Sequence, residues 1–216
     1  YCNHIESYRQ RKIDRIIVTL NQNEINKIKE LVDLTCELEN TRKWFLLGLN
    51  IGQRISDLLK ITPQNLRQAP NGGMYLDLIQ IKTKKPITVG IIDPTVLEFL
   101  RKDFPQKTNA SDFNKKIKEL CRLAGIDQVI KGNKMSSITK RLAFGMYPKY
   151  ELITSHTMRR SFATNYFGKI ETPILMEITG HSRESTFLSY IGENPNKDAV
   201  ADVFMERLRR LGNESG

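Results

Sequence analysis

Apolar residues recur at helical spacing near the start of the chain. Ile25, Ile28, Leu31 and Leu38 fall on one face, and Asn21 with Glu24 forms a capping-box-like start ahead of them, which predicts an amphipathic helix. From Thr41 to about Asn50 the pattern closes up into Trp44, Phe45, Leu46, Leu47 and Leu49, so a core helix is expected, ending at Gly52. Gln53-Arg54-Ile55-Ser56-Asp57-Leu58-Leu59 follows, with Ser56 placed to cap a short helix from Asp57. Over residues 74–92 the period changes. Met74, Leu76, Leu78 and Gln80 alternate with Tyr75, Asp77, Ile79 and Ile81; Lys82-Thr83-Lys84-Lys85-Pro86 interrupts; Ile87, Val89 and Ile91 resume. This predicts a β-hairpin with a basic tip. Asp93-Pro94 opens a helix to about Arg101, and Ser111 caps another (Phe113, Ile117, Leu120, Cys121, Ala124) that stops at Gly125.

Periodicity is weak from Ile126 to Ser155, which predicts loops with one short helix near Ser136–Phe144. It returns with Met158, Phe162 and Tyr166 at about one-turn intervals. Thr172-Pro173 starts a helix over Ile174–Ile178, and a short helix should carry Tyr190. In the tail, Asn196–Leu211, the residues Val200, Val203, Phe204, Leu208 and Leu211 form one stripe while the charges cancel, a pattern suited to docking on protein. The expected fold class is α+β, mainly α-helical, with a small antiparallel β-sheet or hairpin. The expected organisation is a basic linker over 1–18, one domain over 19–195, and a C-terminal helix and tail over 196–216.

Charge adds a partner. Among 216 residues, 34 Lys and Arg face 24 Asp and Glu, a formal net charge of +10. That balance points to a polyanion, with nucleic acid the first candidate. Arg9, Arg11 and Lys12 in the linker could follow a phosphate backbone. The 3 cysteines lack CxxC spacing, so neither a disulfide framework nor a zinc cluster is suggested, and a reducing cytoplasm fits best. No apolar run approaches a membrane span. The first residue is Tyr1 rather than Met, which reads as a piece whose N-terminal part has been cut away. No GxxxxGK[ST] loop, GxGxxG fingerprint or HExxH helix occurs, so phosphoryl chemistry here would rest on cationic side chains, with no cofactor and no metal.

Metal-free cleavage of a phosphodiester needs a side-chain nucleophile, cations for the charge that gathers on phosphorus, and an acid for the leaving oxygen. The chain offers Tyr190; Arg54 and Arg159, whose planar forks suit bidentate contact with phosphate; and Lys82, His156 and His181. His156 and Arg159 are three apart and share a helix face. His181 follows Gly180, which permits a tight turn.

In these residues the chain resembles the catalytic domain of tyrosine recombinases, the phage-integrase family. Gly52-Gln-Arg54-Ile-Ser-Asp57-Leu-Leu is similar to the family's first arginine box, and Lys82 before Thr83 to its hairpin lysine. His156-x-x-Arg159 followed by Ser-Phe-Ala-Thr164 is similar to the second box, and Gly180-His181-Ser182 followed by Tyr190 to the third box and nucleophile. The likeness runs from about Thr19 to Gly192. It departs at Thr179, where Leu is usual, and at Gly90, where Pro often stands.

The resemblance implies Arg54 and Arg159 as phosphate clamps, Tyr190 as nucleophile and Lys82 as general acid. It implies His156 as a proton-transfer or phosphate-binding group, His181 as a hydrogen-bond donor to the phosphate, and Asp57 as a support behind the site. Lys84, Lys85 and Arg160 join Arg9, Arg11 and Lys12 as candidate DNA contacts. The implied function is a site-specific recombinase that cuts and rejoins double-stranded DNA through a 3′-phosphotyrosyl intermediate, integrating or excising a mobile element or phage. Attachment sites, a Holliday junction, a homo-tetramer on DNA, accessory bending or directionality factors and a bacterial, nucleoid-associated cytoplasmic setting belong to the same expectation. The alternatives are a type IB topoisomerase-like swivelase and a non-catalytic DNA-binding regulator on the same scaffold.

Overall fold

A computed structural model describes residues 16–135, 141–192, 201, 204–206, 208 and 209. The expected linker contacts Arg9, Arg11 and Lys12 lie outside them, as do 136–140 and most of the tail. Chain order is α1 (Gln22–Lys29), α2 (Cys36–Ile51), α3 (Ile55–Leu58), a 3-10 turn (Pro63–Asn65), β1 (Leu66–Gln68), β2 (Met74–Ile79), β3 (Pro86–Ile91), α4 (Pro94–Lys102) and α5 (Ala110–Leu123). Then come β4 (Val129–Met135), β5 (Leu142–Pro148), α6 (Lys149–Leu152), α7 (Ser155–Tyr166), α8 (Thr172–Thr179) and α9 (Glu184–Ile191). The fold is α+β and mainly helical. Among the described residues no helix is long and apolar enough to cross a membrane.

The molecule is built around α2. Trp44, Phe45, Leu46, Leu47, Leu49 and Ile51 are all buried, because α1, α4, α5, α7 and β3 pack around that helix. A helix that is apolar on nearly every side needs such a shell. The sequence pattern merged α1 with the start of α2, and the structure separates them. Asp33 takes a left-handed φ of 56°, Thr35 caps α2 by accepting from the Leu38 amide, and Arg42 Nη1 donates to the Lys29 and Leu31 carbonyls at the end of α1. Leu38 therefore belongs to the second helix.

Three further expectations shift. The short helix after Gly52 starts at Ile55 with Arg54 as its N-cap, so Ser56 is not the cap. The cap of α5 is Asn109, whose side chain accepts from the Asp112 amide, rather than Ser111. The stretch read as loops with a short helix contains the antiparallel pair β4–β5, and Leu142–Phe144 are strand. Gly132 allows that hairpin to lie on Leu152: a Cβ there would come within 2.3 Å of the leucine side chain. The expected 74–92 hairpin is present, pairs Leu76 with Val89, and gains β1 as a third strand. The parts of the tail described, residues 201, 204–206, 208 and 209, are helical, with Phe204, Met205 and Leu208 exposed.

A smaller apolar cluster of Phe162, Ala163, Leu175, Phe187 and Ile191 ties α7, α8 and α9 together beside the main core. It joins the main body at Gly52, the left-handed residue (φ 63°) that ends α2. A Cβ on Gly52 would sit 2.4 Å from the Phe162 ring. Gly52→Ala is therefore expected to destabilise the fold. The left-handed backbone contributes roughly 1–2 kcal/mol and the collision about 1–3 kcal/mol, and a urea midpoint against the wild-type protein measures the loss.

Candidate active site

Arg54, His156, His181 and Tyr190 are delivered by the ends of elements, and Arg159 and Arg160 by the second turn of α7. Gly52 turns the chain sharply, which drives the wholly buried Gln53 inward and sets Arg54 at the head of α3. Gln53 Nε2 donates to the Ile51 and Ile178 carbonyls, and Gln80 Nε2 donates to Gln53 Oε1 and to Ile178 O. This clasp fixes three pieces relative to one another: the start of α3, the β2–β3 turn and the end of α8. Behind Arg54, the buried Asp57 accepts from the Ile81 amide at 2.9 Å, pinning the turn that holds Lys82.

The second arginine lies deeper. Arg159, on α7 and 2% exposed, donates from Nη1 to Gly52 O at 3.0 Å and from Nη2 to Thr179 O. It thereby binds the turn before Arg54 to the turn before His181. Its pKa is brought down to about 10, first by burial and then by the charge of Arg54, with Tyr190 and Asp57 pulling the other way. A guanidinium stays charged at that value.

Tyr190 comes in from α9. The guanidinium carbons of Arg159 and Arg160 stand 5.7 and 5.3 Å from its ring centroid, in cation–π range. Its hydroxyl is buried without a well-formed hydrogen bond. Arg159 lies near enough to act on it as a misaligned donor would, so the contact is electrostatic more than directional. Burial raises the phenol pKa; Arg159, Arg160 and Arg54 work against that rise. The His181 ring centroid is 5.1 Å from that of Tyr190 and 5.5 Å from that of Phe187. His156, at the start of α7, has its pKa lowered first by partial burial and then by the charges of Arg160, Arg159 and Arg54.

Arg54, Asp57, His156, Arg159, Arg160, His181 and Tyr190 thus share one site. Lys82, Lys84 and Lys85 do not touch it: all three are exposed on the turn, where Lys84 has a left-handed φ of 57°. Buried polar atoms without a partner gather here too. They are Arg54 Nη1, Asp57 Oδ2, Arg160 Nε, Thr164 Oγ1 and Tyr190 Oη. Buried donors normally find acceptors. A cluster of cations with one carboxylate behind it and donors unspent has the chemistry of an anion site.

The phage integrase family model matches residues 18–197. The chain belongs to the phage integrase family. No curated protein matches it in sequence. Among solved structures it is similar to the XerH site-specific recombinase bound to difH substrate in a pre-cleavage complex (TM-score 0.61, 16% identity, 88% of this chain and 54% of that one). It is also similar to a lambda integrase dimer bound to a COC′ core site (TM-score 0.59, 18% identity, 87% and 64%). A third is the Tn1549 transposon integrase in complex with transposon right end DNA (TM-score 0.57, 16% identity, 93% and 68%). At such identities the likeness is one of fold, and this chain spans about half the length of the XerH chain.

Two buried residues of this integrase-family site escaped the sequence reading: Gln53 and Gln80. Gln80 did leave a signal. It occupies the inward parity of its strand, after Met74, Leu76 and Leu78, where a polar residue must have buried partners. Gly180 serves the same clasp: its φ is 63°, and a Cβ would fall 2.1 Å from Gln80 Oε1.

His181 gives this phage integrase family member a pH dependence. Burial, then Arg159 and Arg54, bring its pKa from 6.5 down to about 4. The unfolded chain takes up the proton near 6.5 and the folded chain only near 4. Its contribution to stability is therefore intact above 6.5, shrinks as the pH falls, and is lost once the pH passes below 4. Urea midpoints measured across that window should fall less steeply for His181→Gln than for the wild-type protein.

Proposed function

We propose that the chain is the DNA-breaking and rejoining part of a site-specific recombinase, acting for a mobile element or phage through a 3′-phosphotyrosyl intermediate. The observation that carries this reading is the convergence of Arg54 and Arg159 on Tyr190, with buried donors left unpaired around a phenol. The scissile phosphate takes up those donors. Tyr190 gives its hydroxyl proton to a neighbouring imidazole and its Oη attacks phosphorus; the bond to the 5′-oxygen breaks, and that oxygen leaves as a hydroxyl after receiving a proton, the role assigned to Lys82. The exposed turn holding Lys82 has to close on the DNA for this. Arg54 and Arg159 bear the charge of the pentacoordinate state, and a 5′-hydroxyl from a partner strand reverses the step. The new ester keeps the energy of the broken bond, so the reaction needs neither a nucleotide nor a metal to drive it. A tetramer on two DNA segments, a Holliday junction and docking of the tail helix on a neighbouring protomer belong to the same proposal.

A nicked attachment-site duplex tests it. After cleavage the short 5′-hydroxyl strand diffuses away, and the protein remains as a covalent adduct on a denaturing gel. A swivelase would instead relax supercoiled plasmid without site preference. A regulator would retain DNA and form no adduct. DNA affinity is expected to fall steeply with salt, a logarithmic slope of about −0.9 for each phosphate contact. A salt-independent affinity would remove the electrostatic reading of the net charge.

A further inference from the structure

Thr179 occupies the place where the family usually has an apolar residue, and it is wholly buried. Its hydroxyl oxygen lies 2.6 Å from the Leu175 carbonyl and 2.8 Å from His181 Nδ1. Two oxygens that close must have a hydrogen between them, and only the threonine can supply it, since a carbonyl carries none. The hydroxyl is thus spent on Leu175 in the back-bonding common to helical threonine. It can meet Nδ1 only as an acceptor, so Nδ1 must carry the ring proton. The histidine amide donates to Met176 O at 2.9 Å, so ring and backbone are both fastened to the end of α8.

We infer that Thr179 is a positioning residue that locks neutral His181 in the Nδ1–H tautomer, leaving Nε2 as a bare proton acceptor toward the site. The charged and titratable groups facing the imidazole are Arg159, Arg54 and Tyr190, while the exposed Glu177 on α8 and Glu184 on α9 line a pocket together with it. Burial, and then the charges of Arg159 and Arg54, disfavour a second ring proton before an anion arrives. Resting on the proposed function, the lock changes what His181 does. A bare Nε2 cannot donate to a phosphate oxygen. It must first gain a proton, and Tyr190 must lose one in order to attack. Before DNA arrives the Tyr190 hydroxyl makes no hydrogen bond to the ring, whose centroid is 5.1 Å from that of the tyrosine. Once a phosphate seated between the arginines draws the two together, one transfer meets both needs: the Oη–H bond breaks, an Nε2–H bond forms, and the phenolate and imidazolium together carry no net charge. The phenolate then forms its bond to phosphorus as the bond to the 5′-oxygen breaks, while the imidazolium donates to the phosphate.

The tautomer can be read without DNA or activity. The chain has 3 histidines, so long-range nitrogen–proton NMR spectra of the 15N-labelled protein are simple, and His181→Gln assigns the ring. At neutral pH the His181 Nδ1 signal is expected in the protonated range and Nε2 in the bare range. Thr179→Val keeps the shape and removes the acceptor; it should shift the population toward Nε2–H, and Thr179→Ser should restore Nδ1–H. Cleavage of the nicked duplex should fall in the valine variant and recover in the serine variant. A wild-type ring found as Nε2–H, or a ring unmoved in Thr179→Val, overturns the lock. A locked ring with no adduct from the wild-type protein would instead sink the proposed function and leave the tautomer standing.

Discussion

Tyr190→Phe is expected to abolish covalent capture of a nicked duplex while leaving the fold and DNA retention in place. Loss of a nucleophile costs on the order of 10⁶-fold in a comparable two-step covalent mechanism, which puts the adduct below detection. The case for a purely chemical defect is structural. The Tyr190 hydroxyl makes no well-formed hydrogen bond, so deleting it strands no buried partner. The aromatic ring stays, and with it the faces presented to Arg159 and Arg160. The thermal midpoint should therefore hold or rise slightly, since a buried hydroxyl with no partner is a cost to the folded state. An adduct that survives the change would remove Tyr190 as nucleophile. Equal loss of DNA retention would give the tyrosine a structural role instead.

Arg159→Lys is expected to damage both stability and chemistry, and comparison with Arg54→Lys separates the two. Arg159 spans Gly52 O and Thr179 O with two nitrogens of one planar group. An ammonium on a flexible stem cannot cover both carbonyls and still face a phosphate. Each buried carbonyl left unpaired costs about 1–3 kcal/mol. The lost clamp should lower the cleavage rate by about 10²–10³-fold, as for other preorganised charge donors. Arg54 differs because its Nη1 is buried without a partner in the protein. Arg54→Lys should therefore lose cleavage by a similar factor with little change in the urea midpoint. Single-turnover cleavage and urea unfolding on both variants check this. Equal destabilisation by the two substitutions would contradict the division of labour.

Helices with strong apolar periodicity were legible from local pattern alone. The buried α2, the capped α1, Pro94 at the head of α4 and the 74–92 hairpin follow from spacing, caps and turn residues. The β4–β5 pair was not legible. Its stability comes from cross-strand pairing between residues of mixed polarity and from the fit of Gly132 over Leu152, neither of which leaves a periodic trace. The caps at Asn109 and Arg54 each lie two residues before the serine expected to cap, because the backbone path and not the side chain alone selects the cap; Arg54 heads α3 with no side-chain cap bond at all.

The candidate site divides along the same line. Residue type and order along the chain determined which groups were available: two forked cations, two imidazoles, a phenol and a turn lysine. Those are properties of side chains, and they are present whatever the chain does in space. Which of them meet, and in what protonation state, was decided by the tertiary structure. It placed Arg160 over the Tyr190 ring, left Lys82 exposed on its turn, and set a threonine hydroxyl against His181. Burial and the mutual repulsion of cations depend on distance and on exclusion of water. Both arise only when segments remote in sequence, such as Gly52, Arg159 and Thr179, are drawn together by hydrogen bonds that no single segment contains.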